Sequence, residues 1–229
     1  MTEKNKTPIT EETEAPAEMA TFFNARVDMY EEHMAQWKRH YKRIAELVPP
    51  TAQTLLDIGC GTGLELDGIF RRLPHLKVTG IDISRAMLEK LRCKYADKAP
   101  ELICADYLRY DFKSECFDVA VAFETLHHFD IDTKTALFKK IFRALKSGGT
   151  FLECDYIAVS QQTEDSLFDE YRKIREKADI PENALIHFDT PLTLAHETKA
   201  VKNAGFIMCQ TPQFLTGDDH TAIIAAVKP

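Results

Sequence analysis

The sequence predicts an α/β protein built on a mostly parallel β-sheet with helices on both faces. From residue 54 onward, short apolar segments alternate with longer amphipathic ones, which is the order of a strand–helix–strand chain. A glycine-rich loop at 57–63 joins the first strand directly to the first helix. The segment 117–123 is nearly all apolar, as a strand covered on both faces should be.

The length, charge and apolar content of the chain limit the classes of protein to which it can belong. The chain has 229 residues, of which 45% are apolar, so it can bury a sizeable core. Its net charge of −7 argues against a protein that mainly grips nucleic acid. No apolar run approaches the ~20 residues of a membrane span, and no secretory segment is evident, so we expect a cytoplasmic protein. The six scattered cysteines indicate neither a disulfide framework nor a metal site.

The chain before the sheet divides into two parts. Residues 1–17 are polar and acidic, and we expect a disordered tail. Residues 18–48 are predicted to be helical and to cap the domain, ending at Pro49. A coiled coil would suit the same spacing, but the run is short and mixes aromatic residues into the seam. The apolar positions recur at steps of four and three; they are Phe23, Val27, Tyr30, Met34, Trp37, Tyr41, Ile44 and Val48.

Residues 50–160 are expected to form the first half of the sheet, and 191–229 a final helix and a strand pair. The charged segment 161–190 interrupts the alternation of strands and helices. We expect it to form the second part of the cap, with a helix over 164–177. Seven strands are predicted: 54–58, 77–81, 102–105, 117–123, 150–159, 206–214 and 221–227. The last two are joined by a short turn and should be antiparallel. The other helices are predicted over 64–72, from the N-cap Ser84 to 95, over 133–145 and over 192–203.

The glycine-rich loop carries the strongest local signal. Glycines let the chain turn tightly and let a ligand approach the backbone, at the strand end where open α/β sheets bind ligands. The third glycine comes one position too early for the dinucleotide fingerprint, and no Gly-Lys-Ser/Thr of a phosphate loop follows.

Two acidic residues end the next strands. Asp82 follows Gly63 by nineteen residues, and a carboxylate there can accept both hydroxyls of a ribose. A helix cap or turn is the ordinary alternative for a lone aspartate, but the coupling to the glycine loop favours the ribose. Asp106 follows the third strand and could accept a hydrogen bond from a purine amine, a weaker signal.

Together these motifs resemble a class I S-adenosylmethionine-dependent methyltransferase, nearest the group that includes the ubiquinone and menaquinone enzymes. The motifs occur in order as LLDIGCGTG (55–63), GIDIS (80–84), AD (105–106), FDV (117–119), LHHF (126–129) and LKSGG (145–149). The resemblance implies a Rossmann-like sheet with an antiparallel last strand, a helical cap, and S-adenosylmethionine as cofactor.

The resemblance also implies the residues that contact the cofactor. Asp82 would hold the ribose, and Asp106 would accept from the adenine amine. Tyr30 would close over the cofactor from the cap, although the family's usual Tyr-Asp pair is Tyr30-Glu31 here. The full set is Tyr30, Asp57, Gly59, Cys60, Gly61, Gly63, Asp82, Ile83, Met87, Asp106, Tyr107 and Phe123.

Methyl transfer is an in-line displacement that needs positioning more than a covalent residue. If the acceptor must lose a proton, His128 is the candidate base, with His127 beside it. The ordinary alternative, that one or both histidines bond to backbone at a helix entry, is favoured. Tyr30, Glu124 and Asp155 are weaker candidates, and the spacing shows no metal site.

The function predicted from the sequence is methyl transfer to an O, N or C atom of a small organic acceptor. The two cap segments would form its pocket, with Phe22, Phe23, Tyr30, Phe168 and Tyr171 as apolar lining. An RNA-modifying or carboxy-S-adenosylmethionine-type enzyme is the main alternative. A non-catalytic cofactor-binding module follows, and a nicotinamide oxidoreductase is least favoured. A homodimer is possible.

Overall fold

The computed structural model describes residues 18–229, so the predicted disordered tail lies outside the described part. The α-helices are α1 (Met19–His33), α2 (Lys38–Leu47), α3 (Leu66–Arg72), α4 (Arg85–Lys94), α5 (Ile131–Ala144), α6 (Gln161–Lys177) and α7 (Leu194–Asn203). The strands are β1 (Thr54–Ile58), β2 (Lys77–Asp82), β3 (Glu101–Cys104), β4 (Phe117–Phe123), β5 (Leu145–Tyr156), β6 (Ile207–Met208), β7 (Gln213–Phe214) and β8 (Thr221–Val227).

The strands form one mixed sheet in the order β3-β2-β1-β4-β5-β8-β6, with β7 also paired to β8. Strands β1 to β5 are parallel, and β8 runs antiparallel to its neighbours. The order reverses between β1 and β4, so the loops that follow these two strands leave a crevice between them, where open α/β sheets bind ligands. The predicted Rossmann-like class, with an antiparallel last strand, is confirmed.

Within residues 18–229 the sheet has eight strands rather than the predicted seven. The segment expected as one strand over 206–214 is split into β6 and β7, which pair with opposite ends of β8. Pro212 lies between them, and proline has no N–H to give to a ladder. The fifth strand also starts earlier than predicted, at Leu145, so that the glycines expected to precede it lie inside β5.

The N-terminal cap is not one continuous helix. A 3₁₀ turn over Met34–Trp37 separates α1 from α2, although the apolar spacing runs through it. The predicted stop before Pro49 is correct, since α2 ends at Leu47. The N-cap at Ser84 is also confirmed, because its hydroxyl accepts a hydrogen bond of 3.2 Å from the Met87 N–H.

Two apolar cores cover the two faces of the sheet. One is built with α2, α3 and α4, and the other with α5 and α7. Helix α1 and the loop after α6 meet above the carboxyl ends of the strands, where the Met19 N–H donates to the Leu185 carbonyl at 2.9 Å. Both predicted cap segments therefore contribute to the roof of the crevice. None of the helices within residues 18–229 has the length and apolarity to cross a membrane.

Candidate functional site

The glycine-rich loop leaves β1 in a conformation that only glycine adopts easily. Gly59, Gly61 and Gly63 have φ of +65°, +47° and +69°. A Cβ on Gly59 would lie 2.0 Å from the Thr125 Oγ1, and one on Gly61 would lie 3.3 Å from the Tyr30 hydroxyl. The loop thus needs glycine both for its backbone and for the close approach of the cap.

Asp82, at the end of β2, braces this loop. Its Oδ2 accepts a hydrogen bond of 2.8 Å from the Gly61 N–H, and its Oδ1 accepts one of 2.7 Å from the Ser84 N–H. Burial raises the pKa of the Asp82 carboxyl, although these two hydrogen bonds act in the opposite direction. The turn-forming role that competed with ribose binding is therefore present, and the same side chain still faces a cavity.

That cavity, here called the inner cavity, is a narrow space between the glycine loop and the cap. Eight of the twelve predicted cofactor residues line it: Tyr30, Gly59, Gly61, Asp82, Ile83, Met87, Asp106 and Tyr107. The other wall residues are Met19, Phe23, Glu124, Thr125, His128, Phe129 and Leu185. The fold thus brings together the ends of β1, β2, β3 and β4 with α1, as the motifs predict.

The remaining four predicted residues lie outside this wall. The Cys60 side chain points at Gly80, where an added Cβ would meet its Sγ at 2.8 Å. The Gly63 carbonyl accepts a 2.7 Å bond from the Tyr95 hydroxyl. The Phe123 ring stacks on Tyr41 with centroids 4.3 Å apart. The side chains of Cys60 and Phe123 therefore belong to the core.

Asp57, the fourth, forms a buried carboxyl pair with Glu65 behind the loop. Burial, then the Glu65 charge, raises the pKa of Asp57 well above its usual range, and burial also raises that of Glu65. The Asp57 Oδ2 and the Glu65 Oε1 are buried and have no hydrogen-bond partner among residues 18–229. The raised pKa values favour a proton shared between the two carboxyls, neither of which lines the inner cavity.

Asp106 and Tyr107 form the far end of the inner cavity. Asp106 Oδ1 accepts from the Leu108 N–H at 2.8 Å, which leaves acceptor capacity on the carboxylate. The Tyr107 hydroxyl donates to the Thr125 carbonyl at 2.9 Å, and burial raises the pKa of its phenol. The first bond fixes Asp106 within the loop after β3, and the second fixes Tyr107 against the loop after β4.

A second space, here called the outer cavity, opens next to the first and has a volume of about 840 Å³. It shares four wall residues with the inner cavity: Phe23, Tyr30, Glu124 and His128. The rest of its wall comes mainly from α1, β5 and the loop after α6. Phe22, Phe23 and Tyr30 line it as predicted, whereas Phe168 and Tyr171 line neither cavity.

One wall of the outer cavity is a flat aromatic stack built from both cap segments. The Phe22 and His187 rings lie parallel with centroids 3.5 Å apart, and the Arg26 guanidinium lies 3.6 Å from the Phe22 centroid. Burial, then the charge on His128, lowers the pKa of His187 to about 4, so this ring is neutral near pH 7.

His127 also lines the outer cavity and is held by a buried carboxylate. Its Nδ1 lies 2.5 Å from Asp155 Oδ1, and Asp155 also accepts hydrogen bonds from the Leu126 and Tyr156 N–H groups. Burial opposes the imidazolium, but the Asp155 charge outweighs it and raises the pKa of His127 to about 9. The arrangement orients the ring and leaves Nε2 toward Asp189, 3.5 Å from its Oδ1.

His128, the base candidate from the sequence, stands between the two cavities. Its Nδ1 lies 3.1 Å from the Phe188 carbonyl oxygen and 3.3 Å from Asp189 Oδ1. Burial, then the neighbouring His127 charge, lowers its pKa. The backbone contact agrees with the ordinary alternative for this histidine, and the carboxylate-held ring is that of His127.

Asp189 is the functional candidate that the sequence reasoning missed. It lies in a loop with no motif, and only its place in the predicted cap insertion could have drawn attention to it. The sequence spacing showed no metal site, yet the fold gathers two sets of potential ligands, His127–His128–Asp189 and Glu124–His127–Asp155.

Comparison with known proteins agrees with this geometry. Residues 55–149 match the family described as a methyltransferase domain. This part of the chain matches a methyltransferase domain, and its motifs resemble those of the class I, S-adenosylmethionine-dependent enzymes. The match covers the strands, glycine loop and acidic residues that line the inner cavity. The comparisons do not single out the ubiquinone and menaquinone group, so that finer assignment stays a prediction.

Relatives of the methyltransferase domain differ in how much of the chain they share. An uncharacterized methyltransferase of Mycobacterium tuberculosis is 31% identical over 122 residues, which cover 53% of this chain and 60% of that protein. A carboxy-S-adenosyl-L-methionine synthase of Helicobacter hepaticus is 26% identical, over 88% of this chain and 90% of its own length. Human N-acetylserotonin methyltransferase, solved with its methyl donor, has a TM-score of 0.65 at 16% identity, covering 93% of this chain and 60% of that one. The last likeness shows the fold alone.

Proposed function

We propose that the chain transfers the methyl group of S-adenosylmethionine to an O, N or C nucleophile of a small organic acceptor. The observation that carries this proposal is the pair of cavities with a shared wall. The inner cavity is bounded by the methyltransferase motifs, and the outer cavity of about 840 Å³ meets it at Tyr30, Glu124 and His128. A donor in one and an acceptor in the other would face each other across that junction.

The residues around the inner cavity fit the donor. Asp82 retains acceptor capacity for ribose hydroxyls, and Asp106 retains it for an amine. Glu124, which lines both cavities, has a buried oxygen without a partner among residues 18–229, which suits a positive group of the donor. When bound, S-adenosylmethionine supplies an electrophilic methyl group on a sulfonium centre.

The outer cavity suits a small acceptor with a flat, apolar part. The Phe22–His187 stack offers a planar surface, while His127, His128 and Asp189 provide polar groups in the same cavity wall. Holding the two reactants in line can contribute about 7–11 kcal/mol. The acceptor's proton would pass to His128, because the lowered pKa of this histidine leaves its ring neutral and able to accept a proton.

Binding of the demethylated product, S-adenosylhomocysteine, tests the donor site by calorimetry. Asp82→Ala and Asp82→Asn should each weaken binding about tenfold or more, because a charged acceptor contributes roughly 1.5–3 kcal/mol. Asp97→Ala removes an exposed carboxylate and should leave the affinity unchanged. Unaltered affinity in the folded Asp82→Asn protein would reject the proposed site, and circular dichroism checks the fold.

The acceptor can be identified with a donor labelled in its methyl group. The full chain is incubated with a fractionated metabolite extract, and mass spectrometry finds the compound that gains the label. Label on a metabolite supports the proposal, whereas label only on RNA would favour the nucleic-acid alternative. Slow donor hydrolysis with no labelled product would indicate a binding module.

The carboxy-S-adenosylmethionine reading is the second candidate, because that relative matches over nearly the whole chain. Such an activity would leave the cofactor heavier by one CO₂ instead of demethylated. Mass spectrometry of the cofactor after incubation with the same extract separates the two. A carboxylated cofactor would replace the first proposal.

A further inference from the structure

Three side chains converge on one point of the outer cavity wall. His127 Nε2 lies 3.5 Å from Asp189 Oδ1, and His128 Nδ1 lies 3.3 Å from the same oxygen. The ligand atoms that the three residues offer all lie within 4.8 Å of one another. They come from the loop after β4 and from the loop after α6, so that the packing of the cap on the sheet brings them together.

The distances do not match a set of strong hydrogen bonds. A charge-assisted N–H···O bond measures about 2.7–2.9 Å, and within the same cluster His127 Nδ1 and Asp155 Oδ1 reach 2.5 Å. A tetrahedral ion with bonds of about 2.0–2.2 Å holds neighbouring ligand atoms roughly 3.3–3.5 Å apart. The distances from Asp189 Oδ1 to His127 Nε2 and to His128 Nδ1, 3.5 Å and 3.3 Å, lie in this range.

His127, the first of these potential ligands, is held in place by a neighbouring carboxylate. Metal-binding histidines usually give their other ring N–H to a carboxylate or a carbonyl, which fixes the tautomer and the ring orientation. Asp155 does this for His127, and Asp155 is itself fixed by two backbone N–H groups. The Phe188 carbonyl competes for His128 Nδ1 at 3.1 Å, so metal binding would replace that contact.

We propose that His127, His128 and Asp189 bind a divalent transition-metal ion at the wall of the outer cavity, with Asp155 as a positioning residue. Two imidazoles and one carboxylate favour Zn²⁺ or Co²⁺ over Mg²⁺, which prefers oxygen ligands. Three protein ligands leave a coordination position open toward the cavity. This use of the ion rests on the proposed function: it would bind the acceptor's oxygen or nitrogen and lower its pKa.

Co²⁺ titration of the chelator-treated full chain is the direct test. We expect one ion per chain, with visible d–d bands of a low-coordinate site and no thiolate charge-transfer band. The absence of that band separates this site from exposed thiols such as Cys93 and Cys209. Zn²⁺ should displace the bound Co²⁺, and Mg²⁺ should not.

Variants locate the site. Asp189→Asn and His127→Ala should abolish the d–d bands, while Asp155→Asn should weaken binding about 10–100-fold, as expected for an outer-shell carboxylate. His220→Ala is the matched control, since it removes another histidine from the same cavity wall and should not change the titration. Circular dichroism and the thermal midpoint show whether each variant is folded.

The proposal is overturned if the wild type binds no stoichiometric Co²⁺ or Zn²⁺, or if Asp189→Asn and His127→Ala bind as well as the wild type. Affinity for S-adenosylhomocysteine is measured separately on the same samples. Metal binding without product binding would reject the proposed function and keep the metal site, and the reverse result would do the opposite.

Discussion

Two buried clusters of charged residues each include a carboxylate from β5, and they differ in their access to a cavity. Asp155 of β5 holds His127 at the wall of the outer cavity. Glu153, two residues earlier on the same face of β5, lies with Lys134 and Glu197 between the sheet and helices α5 and α7. The first cluster opens to a cavity, and the second is sealed.

The sealed cluster has its strongest contact between two fully buried side chains. Lys134 Nζ lies 2.5 Å from Glu197 Oε2 and 4.0 Å from Glu153 Oε1. Burial, then the Glu197 charge, raises the pKa of Glu153 well above its usual range, which favours the protonated form of this carboxyl. One ammonium then balances one carboxylate. Burial and shifted pKa values alone therefore do not identify a functional site; access to a cavity does.

The largest expected effect belongs to the open cluster. His127→Ala should lower kcat about 10²–10⁴-fold, because activation of the acceptor is lost. Affinity for S-adenosylhomocysteine should hold, because His127 lines only the outer cavity. Steady-state kinetics with the acceptor found by labelling checks this, with His75→Ala, an exposed histidine, as control. An unchanged kcat would mean that the open cluster, like the sealed one, has no role in catalysis.

The sealed cluster should respond in stability instead. Lys134→Met leaves buried carboxyls without their cation and should cost about 3–5 kcal/mol of unfolding free energy. Urea denaturation measures this loss, and the folded fraction should keep its kcat. Replacing Lys134, Glu153 and Glu197 together by apolar residues should recover most of the loss. A lowered kcat in folded Lys134→Met would mean that the two clusters are coupled.

The smallest effect is expected at the other end of the sheet, at Asp118. Burial opposes its ionisation, but Lys146 and hydrogen bonds from Gln53 and Thr54 outweigh this and lower the pKa to about 2. Because the folded pKa lies below the unfolded value near 3.8, the stabilisation is present above that value and is lost as the pH falls through about 2.

Asp118→Asn should therefore cost about 1 kcal/mol at neutral pH, the side chain being partly exposed, and should flatten the loss of stability in acid. Urea midpoints from pH 6 down to pH 2 measure it. Binding of S-adenosylhomocysteine should stay unchanged. A steeper acid loss in the variant than in the wild type would contradict the assigned cause.

Local patterns predicted the sheet and much of the inner cavity. The glycines at 59, 61 and 63 occupy left-handed conformations, which is a property of each residue's own backbone. Asp82 and Asp106 end parallel strands, and the ends of parallel strands meet at one edge by topology. The cofactor roles of these residues stay predictions. The division of the predicted strand 206–214 into β6 and β7 was harder to foresee, because each of these two strands is only two residues long.

The sequence by itself determined the fold class, the methyltransferase motifs and the strand ends that carry them, because these depend on short-range spacing and backbone preference. Only the tertiary structure decided which histidine is held by a carboxylate, and that Asp189 faces it from the cap insertion. It also decided that Lys134 pairs with Glu197 in a sealed core. Such contacts join residues 28 to 63 positions apart, and their geometry is set by how the cap and helices pack on the sheet.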